Sequence, residues 1–190
     1  IDQHVRHHQL CHRGNERDDE LHLRAAGDID QFLCHDQRRD LGDRFANLQA
    51  AIAALPPAVR VLAQSPVYET PPWGLADQPA FLNMALKGQT TLAPLELLQH
   101  LKLLETELGR LPSVRWGPRR IDMDILFYDK LILATPELTI PHPHLHERAF
   151  VLVPLADLAP DLVHPVLGKS IGRLLAALDT IGVNRYESTD

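Results

Sequence analysis

The amino-acid sequence predicts an α+β sandwich in which helices cover an antiparallel sheet that lacks a clear first strand. Two observations indicate this class: segments with helical and strand periods alternate from residue 41 onwards, and they follow the order helix, strand, strand, helix, strand. A third is the lack of any sustained apolar period before that point. We therefore expect residues 1–40 to be an atypical, poorly ordered N-terminal extension and residues 41–190 to form one domain.

The helices are predicted from apolar residues that recur every three or four positions. In the first helix these residues are Phe45, Leu48, Ile52 and Leu55. A second helix begins near Pro94, carries a stripe of leucines, and ends at Gly109, which suits a C-terminal cap. A short third helix is expected near residues 170–179.

The strands are predicted at residues 59–67, 80–90 and 121–128, where apolar and β-branched side chains are frequent. Residues 70–74 contain two prolines and a glycine and are expected to form a rigid loop. The segment from 31 to 37 is a poor strand by the same criteria. The first strand of the sheet is therefore predicted to be atypical or missing.

Composition limits the classes of function. The net charge of -6 argues against a general nucleic-acid-binding protein, and no apolar run approaches the about 20 residues that a membrane helix needs. Two cysteines make no disulfide framework, so we expect a cytoplasmic protein with free thiols. The first 40 residues hold six of the eleven histidines, but their spacing fits no closed zinc site.

The most informative stretch runs from residue 110 to residue 126. Four arginines lie between 110 and 120 in a loop that contains glycine and proline, and Asp122 and Asp124 follow directly in an apolar strand. Residues two apart on a strand face the same side, so the two carboxylates project together and repel each other. A divalent cation removes that repulsion, and arginine binds phosphate through a planar fork of donors. The pattern favours a site for metal-bound polyphosphate.

This hypothesis has one simple alternative, and two common nucleotide-binding folds can be set aside. The arginines could instead form ordinary surface ion pairs with the aspartates, which contribute only roughly 0–1 kcal/mol. Neither a Walker motif nor a Rossmann glycine pattern occurs in the sequence, so the common P-loop and dinucleotide-binding folds are disfavoured.

Several motifs in consistent order resemble the family of 6-hydroxymethyl-7,8-dihydropterin pyrophosphokinases, enzymes of the folate pathway. They lie at residues 65–74, 77–83, 115–125, 140–142 and 148–155. The resemblance covers about residues 41–180 and implies a ferredoxin-like α-β-α core. It also implies the Mg²⁺-dependent transfer of pyrophosphate from ATP to the hydroxymethyl group of the pterin, with release of AMP.

The resemblance implies a role for each residue that matches a motif. Asp122 and Asp124 would hold two Mg²⁺ ions, and Arg115 and Arg119 would join them as catalytic residues. The implied ATP-binding residues are Glu105, Arg110, Arg115, Trp116, Ile125, His142 and Arg148. The implied pterin-binding residues are Thr70, Pro71, Pro72, Trp73, Phe81, Asn83 and Phe150, with the two phenylalanines stacking on the ring. Without the motifs, the two phenylalanines would be interpreted as core residues.

The sequence departs from the family pattern before residue 41. Arg38-Arg39-Asp40 stands where the family has Gly-Ser-Asn, and one hypothesis for residues 1–40 is a shifted reading frame. An impaired relative that binds nucleotide or pterin without efficient turnover is therefore the alternative function, and an RNA-binding module using the arginine loop is a third. The expected partners are ATP and a reduced pterin, with no nucleic acid and no membrane. We expect a monomer and leave open an association with other folate-pathway enzymes.

Overall fold

The computed structural model describes residues 27–36, 44–71, 80–109 and 121–187. Its strands are β1 (Gly27–Asp36), β2 (Val59–Gln64), β3 (Tyr68–Thr70), β4 (Phe81–Thr90), β5 (Asp122–Phe127), β6 (Leu133–Ala134), β7 (Thr139–Ile140) and β8 (Asn184–Arg185). Its α-helices are α1 (Arg44–Ala54), α2 (Pro94–Glu107), α3 (Ala149–Leu158) and α4 (Ile171–Leu175), and one 3₁₀ turn lies at Leu145–Glu147. None of the helices in the described ranges is long and apolar enough to cross a membrane.

The fold is built around one sheet, whose strands differ in length. All of its strand pairs are antiparallel. The strands follow the order β5-β1-β4-β3-β8, and β2 also pairs with β4. Strand β4 is ten residues long, so it pairs along one edge with β1 and along the other with both β2 and β3. The short strands β6 and β7 form a separate pair.

The helices lie on the two faces of the sheet, which confirms the α-β-α sandwich. On one face, α1 and α2 bury side chains such as Leu48 and Leu101 against Leu82, Met84 and Met123 of the sheet. On the other face, α3 and α4 enclose a second cluster with the end of β5. The spacing of apolar residues in α1 and α2 matches the prediction, because the residues that recur at helical spacing are those that the helices bury.

The first strand is present, so the expectation that it could be missing is wrong. Its sequence is nevertheless atypical for a strand. Strand β1 lies between β4 and β5 and pairs with both. The register of its pairing with β4 shifts between Ile29 and Phe32, which is a bulge. A bulge interrupts the two-residue period of a strand, so simple alternation cannot mark this strand in the sequence.

Residues 27–36 thus lie in the sheet, although the sequence assigned them to a poorly ordered extension. The backbone N–H and C=O groups of β4 and β5 offer a ladder on both sides of β1, and this ladder does not depend on side-chain pattern. The rest of residues 1–40 lies outside the described part of the chain. The domain division at residue 40 otherwise stays a prediction.

Helix α3 and strand β8 are among the elements that the sequence analysis did not predict. Helix α3 contains Pro154, a residue that is unfavourable in the interior of a helix. Its side chains Val151, Leu152 and Leu155 are buried against the sheet and α4, and this packing outweighs the loss of one backbone hydrogen bond at the proline. Strand β8 pairs with β3 near the end of the chain.

Candidate active site

Asp122 and Asp124 begin the strand β5 and face the same side of the sheet. Met123 and Ile125 belong to the core cluster under α1 and α2, whereas Leu126 belongs to the cluster under α3 and α4. Because side chains alternate along a strand, the two aspartates share the face of Leu126. Asp122 is buried, with 7% of its surface exposed, and Asp124 is half-buried. The sequence therefore predicted the shared face but not this difference in burial.

A lysine and a glutamate of α2 reach the aspartate strand. The Lys102 ammonium donates to Glu105 Oε1 at 2.6 Å, to Asp122 Oδ1 at 3.2 Å and to the Met123 carbonyl at 3.3 Å. Glu105 Oε1 also accepts the backbone N–H of Met123 at 2.8 Å. Met123 stands between the two aspartates, so α2 fixes the strand segment that carries both carboxylates.

Asn83 lies level with Asp122 across the sheet. Strand β1 separates them, and its residue His35 pairs with Asn83 on one side and with Asp122 on the other. Adjacent strands are about 4.8 Å apart, so the two Cα atoms are about 10 Å from each other. Paired residues share a face of an antiparallel sheet, so the side chains of Asn83 and Asp122 project in the same direction.

The strands β3 and β4 bring together three of the residues implied in pterin binding. Thr70 pairs with Phe81, and the Asn83 side-chain amide donates to the Thr70 hydroxyl at 2.8 Å. Asn83 and Thr70 are buried, and Phe81 is half-buried. From α1, Arg44 donates to Glu69 Oε1 at 2.8 Å and to the carbonyl oxygen of Ala80. Arg44 thus joins β3 to the residue that precedes β4.

His142, Arg148 and Phe150 lie on the segment that follows β7. The backbone N–H of His142 donates to the Leu126 carbonyl at 3.0 Å, which places His142 beside the aspartate strand. The Arg148 guanidinium lies 5.9 Å from the centre of the Phe150 ring, a cation–π distance. Phe150 is half-buried and packs against the cluster under α3.

Two of the implied ATP-binding residues have no exposed side chain. Glu105 is 0% exposed and is engaged by Lys102 and Met123, and Ile125 is 3% exposed in the core. A nucleotide contact at Ile125 would therefore come from its main chain. Pro71 is exposed at the end of β3. The remaining residues of the expected site lie outside the described part of the chain, and they are Pro72, Trp73, Arg110, Arg115, Trp116 and Arg119.

Sequence reasoning missed Lys102. A signal for part of its role was available, because Lys102 and Glu105 stand three positions apart and residues at this spacing are neighbours on a helix. The contact with Asp122 could not be inferred, since it depends on how α2 lies over β5. Sequence reasoning gave Arg44 no role either, because its two contacts join segments that are far apart in the chain.

The aspartate pair fits Mg²⁺ better than a metal that needs a complete protein cage. Within the described ranges, no group of three or more histidine, cysteine, aspartate or glutamate side chains is arranged to hold a metal ion. Mg²⁺ prefers oxygen ligands and is commonly held by one or two carboxylates together with water and phosphate oxygens. Asp122 and Asp124 supply such carboxylates on one face of one strand.

Two titratable side chains near the site have shifted pKa values. Burial raises the pKa of the Tyr68 hydroxyl to about 12, and its hydrogen bond to Asp157, 2.6 Å from oxygen to oxygen, adds to the effect. This bond joins β3 to α3. Burial also lowers the pKa of His164, as does the nearby His146. The His164 ring lies edge-on to Phe127 at the end of β5.

Comparisons with known proteins identify the family of the chain. Residues 39–160 match the model of the 7,8-dihydro-6-hydroxymethylpterin-pyrophosphokinase family. The chain is 45% identical over 150 residues to the 2-amino-4-hydroxy-6-hydroxymethyldihydropteridine pyrophosphokinase of Methylorubrum extorquens, covering 78% of this chain and 94% of that protein. It is 46% identical over 148 residues to the enzyme of the same name from Pseudomonas aeruginosa, covering 77% and 91%.

A solved structure supports the fold. The crystal structure of wild-type Plasmodium falciparum HPPK-DHPS matches with a TM-score of 0.66 at 16% identity, covering 82% of this chain. This chain spans less than half of that one, 45% of its length. Fold, site and relatives together define a class of enzyme, the ATP-using pyrophosphokinases of folate synthesis. Within that class, the chain belongs to the 7,8-dihydro-6-hydroxymethylpterin-pyrophosphokinase family.

Proposed function

We propose that this chain transfers pyrophosphate from ATP to the hydroxymethyl oxygen of 6-hydroxymethyl-7,8-dihydropterin at the sheet face that carries Asn83, Asp122 and Asp124. The proposal rests on the placement of Asn83 and Asp122, which lie at the same level of the sheet on either side of β1. A separation of about 10 Å leaves room for a pterin edge at Asn83 and a phosphate group at Asp122. The amide and the carboxylate suit these two ligands chemically.

In the reaction, the hydroxymethyl oxygen attacks the β-phosphorus of ATP. A new bond forms between that oxygen and the β-phosphorus, the bond from the β-phosphorus to the α,β-bridging oxygen breaks, and AMP leaves with that oxygen. The hydroxyl proton is released to solvent or to a phosphate oxygen. Phosphoryl transfer of this kind needs positioning and charge neutralisation more than covalent chemistry from the protein.

Asp122 and Asp124 would hold the two Mg²⁺ ions that the family resemblance implies. Bound Mg²⁺ supplies positive charge that offsets the phosphate oxygens. The arginines at 110, 115 and 119 would add further positive charge around the triphosphate, together with His142 and Arg148. The position of His142 beside Leu126, two residues after Asp124, supports its part in this set.

The pterin would lie between Phe81 and Phe150, with its polar edge towards Asn83 and the backbone that follows Thr70. Both rings are half-buried, so each leaves surface on which a flat heterocycle can stack. The Asn83 amide nitrogen is already held by the Thr70 hydroxyl, which fixes the orientation of the side chain before a ligand arrives. A monomeric state and a cytoplasmic location stay predictions.

Chromatographic measurement of AMP tests the proposed function. The protein is incubated with ATP, Mg²⁺ and 6-hydroxymethyl-7,8-dihydropterin, and with the same mixture lacking the pterin. We expect pterin-dependent AMP in amounts equal to the pyrophosphorylated pterin. Asp124→Asn should abolish it, whereas Asp161→Asn, the same change at an exposed turn, should not.

The AMP assay, combined with calorimetric titration of ATP and of the pterin, separates the alternatives. Binding of ATP and pterin without AMP would identify an impaired relative, and this outcome would contradict the proposal. Membership of the family argues against a separate RNA-binding module.

A further inference from the structure

Lys102 makes three polar contacts, which equals the number of N–H bonds on its ammonium group. Two of its partners, the Glu105 carboxylate and the Met123 carbonyl, are not implied metal ligands, and the third is Asp122. The shortest contact, 2.6 Å, is with Glu105, whose side chain is 0% exposed. The ammonium is therefore anchored on one side by a fixed, buried group while it contacts Asp122 on the other.

Lys102 of α2 contacts one carboxylate of its own helix and one of β5. Glu105, Asp122 and Asp124 supply three carboxylates within one short stretch of α2 and β5, and Lys102 contacts two of them. Buried carboxylates that share a site repel each other, and a positive charge nearby relieves that repulsion. Lys102 brings a positive charge to Glu105 and Asp122, so its removal would raise the negative potential around Asp122.

From this geometry we propose that Lys102 is a positioning residue that acts as a fixed counter-cation of the aspartate pair and limits its affinity for divalent metal. The inference rests on the proposed metal role of Asp122 and Asp124. An ammonium 3.2 Å from Asp122 Oδ1 orients that carboxylate and also competes with a metal ion for it. Lys102 thus maintains the aspartate strand when no metal is bound and weakens metal binding once a cation arrives.

An ordinary structural lysine would behave differently. If Lys102 only supported packing, its removal would loosen the aspartate strand, and metal would bind more weakly. A counter-cation predicts the opposite sign, because the carboxylates then attract metal more strongly. The direction of the change in metal affinity therefore separates the two roles.

Titration with Mn²⁺, followed by electron paramagnetic resonance in the absence of nucleotide, measures that direction. We expect Lys102→Met to bind Mn²⁺ roughly three- to tenfold more tightly than the unchanged protein, from the loss of one charge near the site. Lys102→Arg keeps the charge and should bind with the original affinity. Lys169→Met makes the same change in net charge at an exposed position before α4, and it should leave the Mn²⁺ affinity unchanged.

A double variant covers the case in which Lys102→Met fails to fold. Lys102→Met with Glu105→Gln removes one positive and one negative charge, so Glu105 no longer leaves a buried charge without its ammonium partner. Its Mn²⁺ affinity should return to that of the unchanged protein, and Glu105→Gln alone should bind more weakly. Unchanged or weaker Mn²⁺ binding by Lys102→Met, or a double variant unlike the original protein, would overturn the inference.

The outcome can be told apart from failure of the proposed function. Pterin-dependent AMP formation by the unchanged protein reports on that function alone. If the unchanged protein forms AMP and Lys102→Met shows no gain in Mn²⁺ affinity, the counter-cation role is wrong and the enzyme assignment stands. If the unchanged protein binds no Mn²⁺ and forms no AMP, the metal site fails and the inference fails with it.

Discussion

The carboxylate of Glu105 accepts the backbone N–H of Met123, with 2.8 Å between Oε1 and nitrogen. Glu105 belongs to α2, and Met123 is the residue between the two aspartates of β5. A side chain of one element thus completes the backbone hydrogen bonding of another. This contact holds the strand that carries Asp122 and Asp124 at a set distance from the helix.

Replacement of Glu105 by leucine should lower the free energy of unfolding by about 1–3 kcal/mol, because the Met123 N–H and the Lys102 ammonium both lose a buried acceptor. Urea denaturation followed by circular dichroism measures the change. Glu107→Leu alters the same residue type at an exposed position of the same helix and should change stability little. Equal effects of the two substitutions would contradict a specific role for the Glu105 carboxylate.

Substitutions of the two aspartates should have the same effect on turnover but different effects on stability. Asp122→Asn and Asp124→Asn should both abolish AMP formation, because each removes a proposed metal ligand. Only Asp122→Asn should also cost stability, about 1 kcal/mol, since Asp122 is buried and paired with Lys102 whereas Asp124 is half-buried. Thermal melts and the AMP assay on both variants test this, and an equal loss of stability would contradict the asymmetry.

Replacement of Thr70 by valine should weaken pterin binding more than ATP binding. Valine has nearly the same shape but no hydroxyl, so the Asn83 amide loses its 2.8 Å partner and its fixed orientation. We expect a loss of about 1–2 kcal/mol in pterin binding, measured by calorimetric titration of each ligand separately. Thr91→Val, an exposed position after β4, serves as the control. A similar loss for both ligands would indicate general damage to the sheet.

His164 should make the protein less stable in mild acid. Burial lowers the pKa of His164 below its ordinary value of 6.5, so the unfolded chain takes up a proton at a pH where the folded protein resists it. The stabilising contribution is present above pH 6.5 and is lost as the pH falls from there through the folded-state pKa. Unfolding in urea at pH 7, 6 and 5 should show this decline.

The matched variant is His164→Asn, whose side-chain oxygen can accept the N–H groups of Val166 and Leu167 in place of Nδ1. It should lose less stability than the unchanged protein between pH 7 and pH 5. His144→Asn changes an exposed histidine and should leave the pH dependence as it was. Parallel curves for all three proteins would exclude His164 as the cause.

The sequence was sufficient for elements whose apolar period matches their burial. Helices α1 and α2 lie where their patterns predicted them, because each buries the residues that recur. Strands β4 and β5 were predicted from their frequent apolar side chains, and most of their residues are buried. Helix α3 was missed because its residues are almost uniformly apolar, which leaves no period, and because Pro154 normally argues against a helix. Its position is determined by packing against partners that are distant in the chain.

The candidate site, like the fold, could be predicted only in part from the sequence. The shared face of Asp122 and Asp124 follows from strand geometry alone, so it could be predicted. The contact between Lys102 and Asp122 and the row that joins Asn83 to Asp122 depend on tertiary placement, and no spacing in the sequence contains that information. Strand β1 was obscured by its bulge.

The position of β1 also affects how the chain folds. Leu33 pairs with Asp124, and these residues stand far apart in the sequence, whereas the helices and the pairing of β2 with β4 involve nearer segments. Distant pairings form slowly, because the loop between them must be closed before any contact compensates for the lost entropy. We therefore expect the β1–β5 pairing to form later than the β2–β4 pairing, so that a newly made chain brings Asp122 and Asp124 beside Asn83 late in folding.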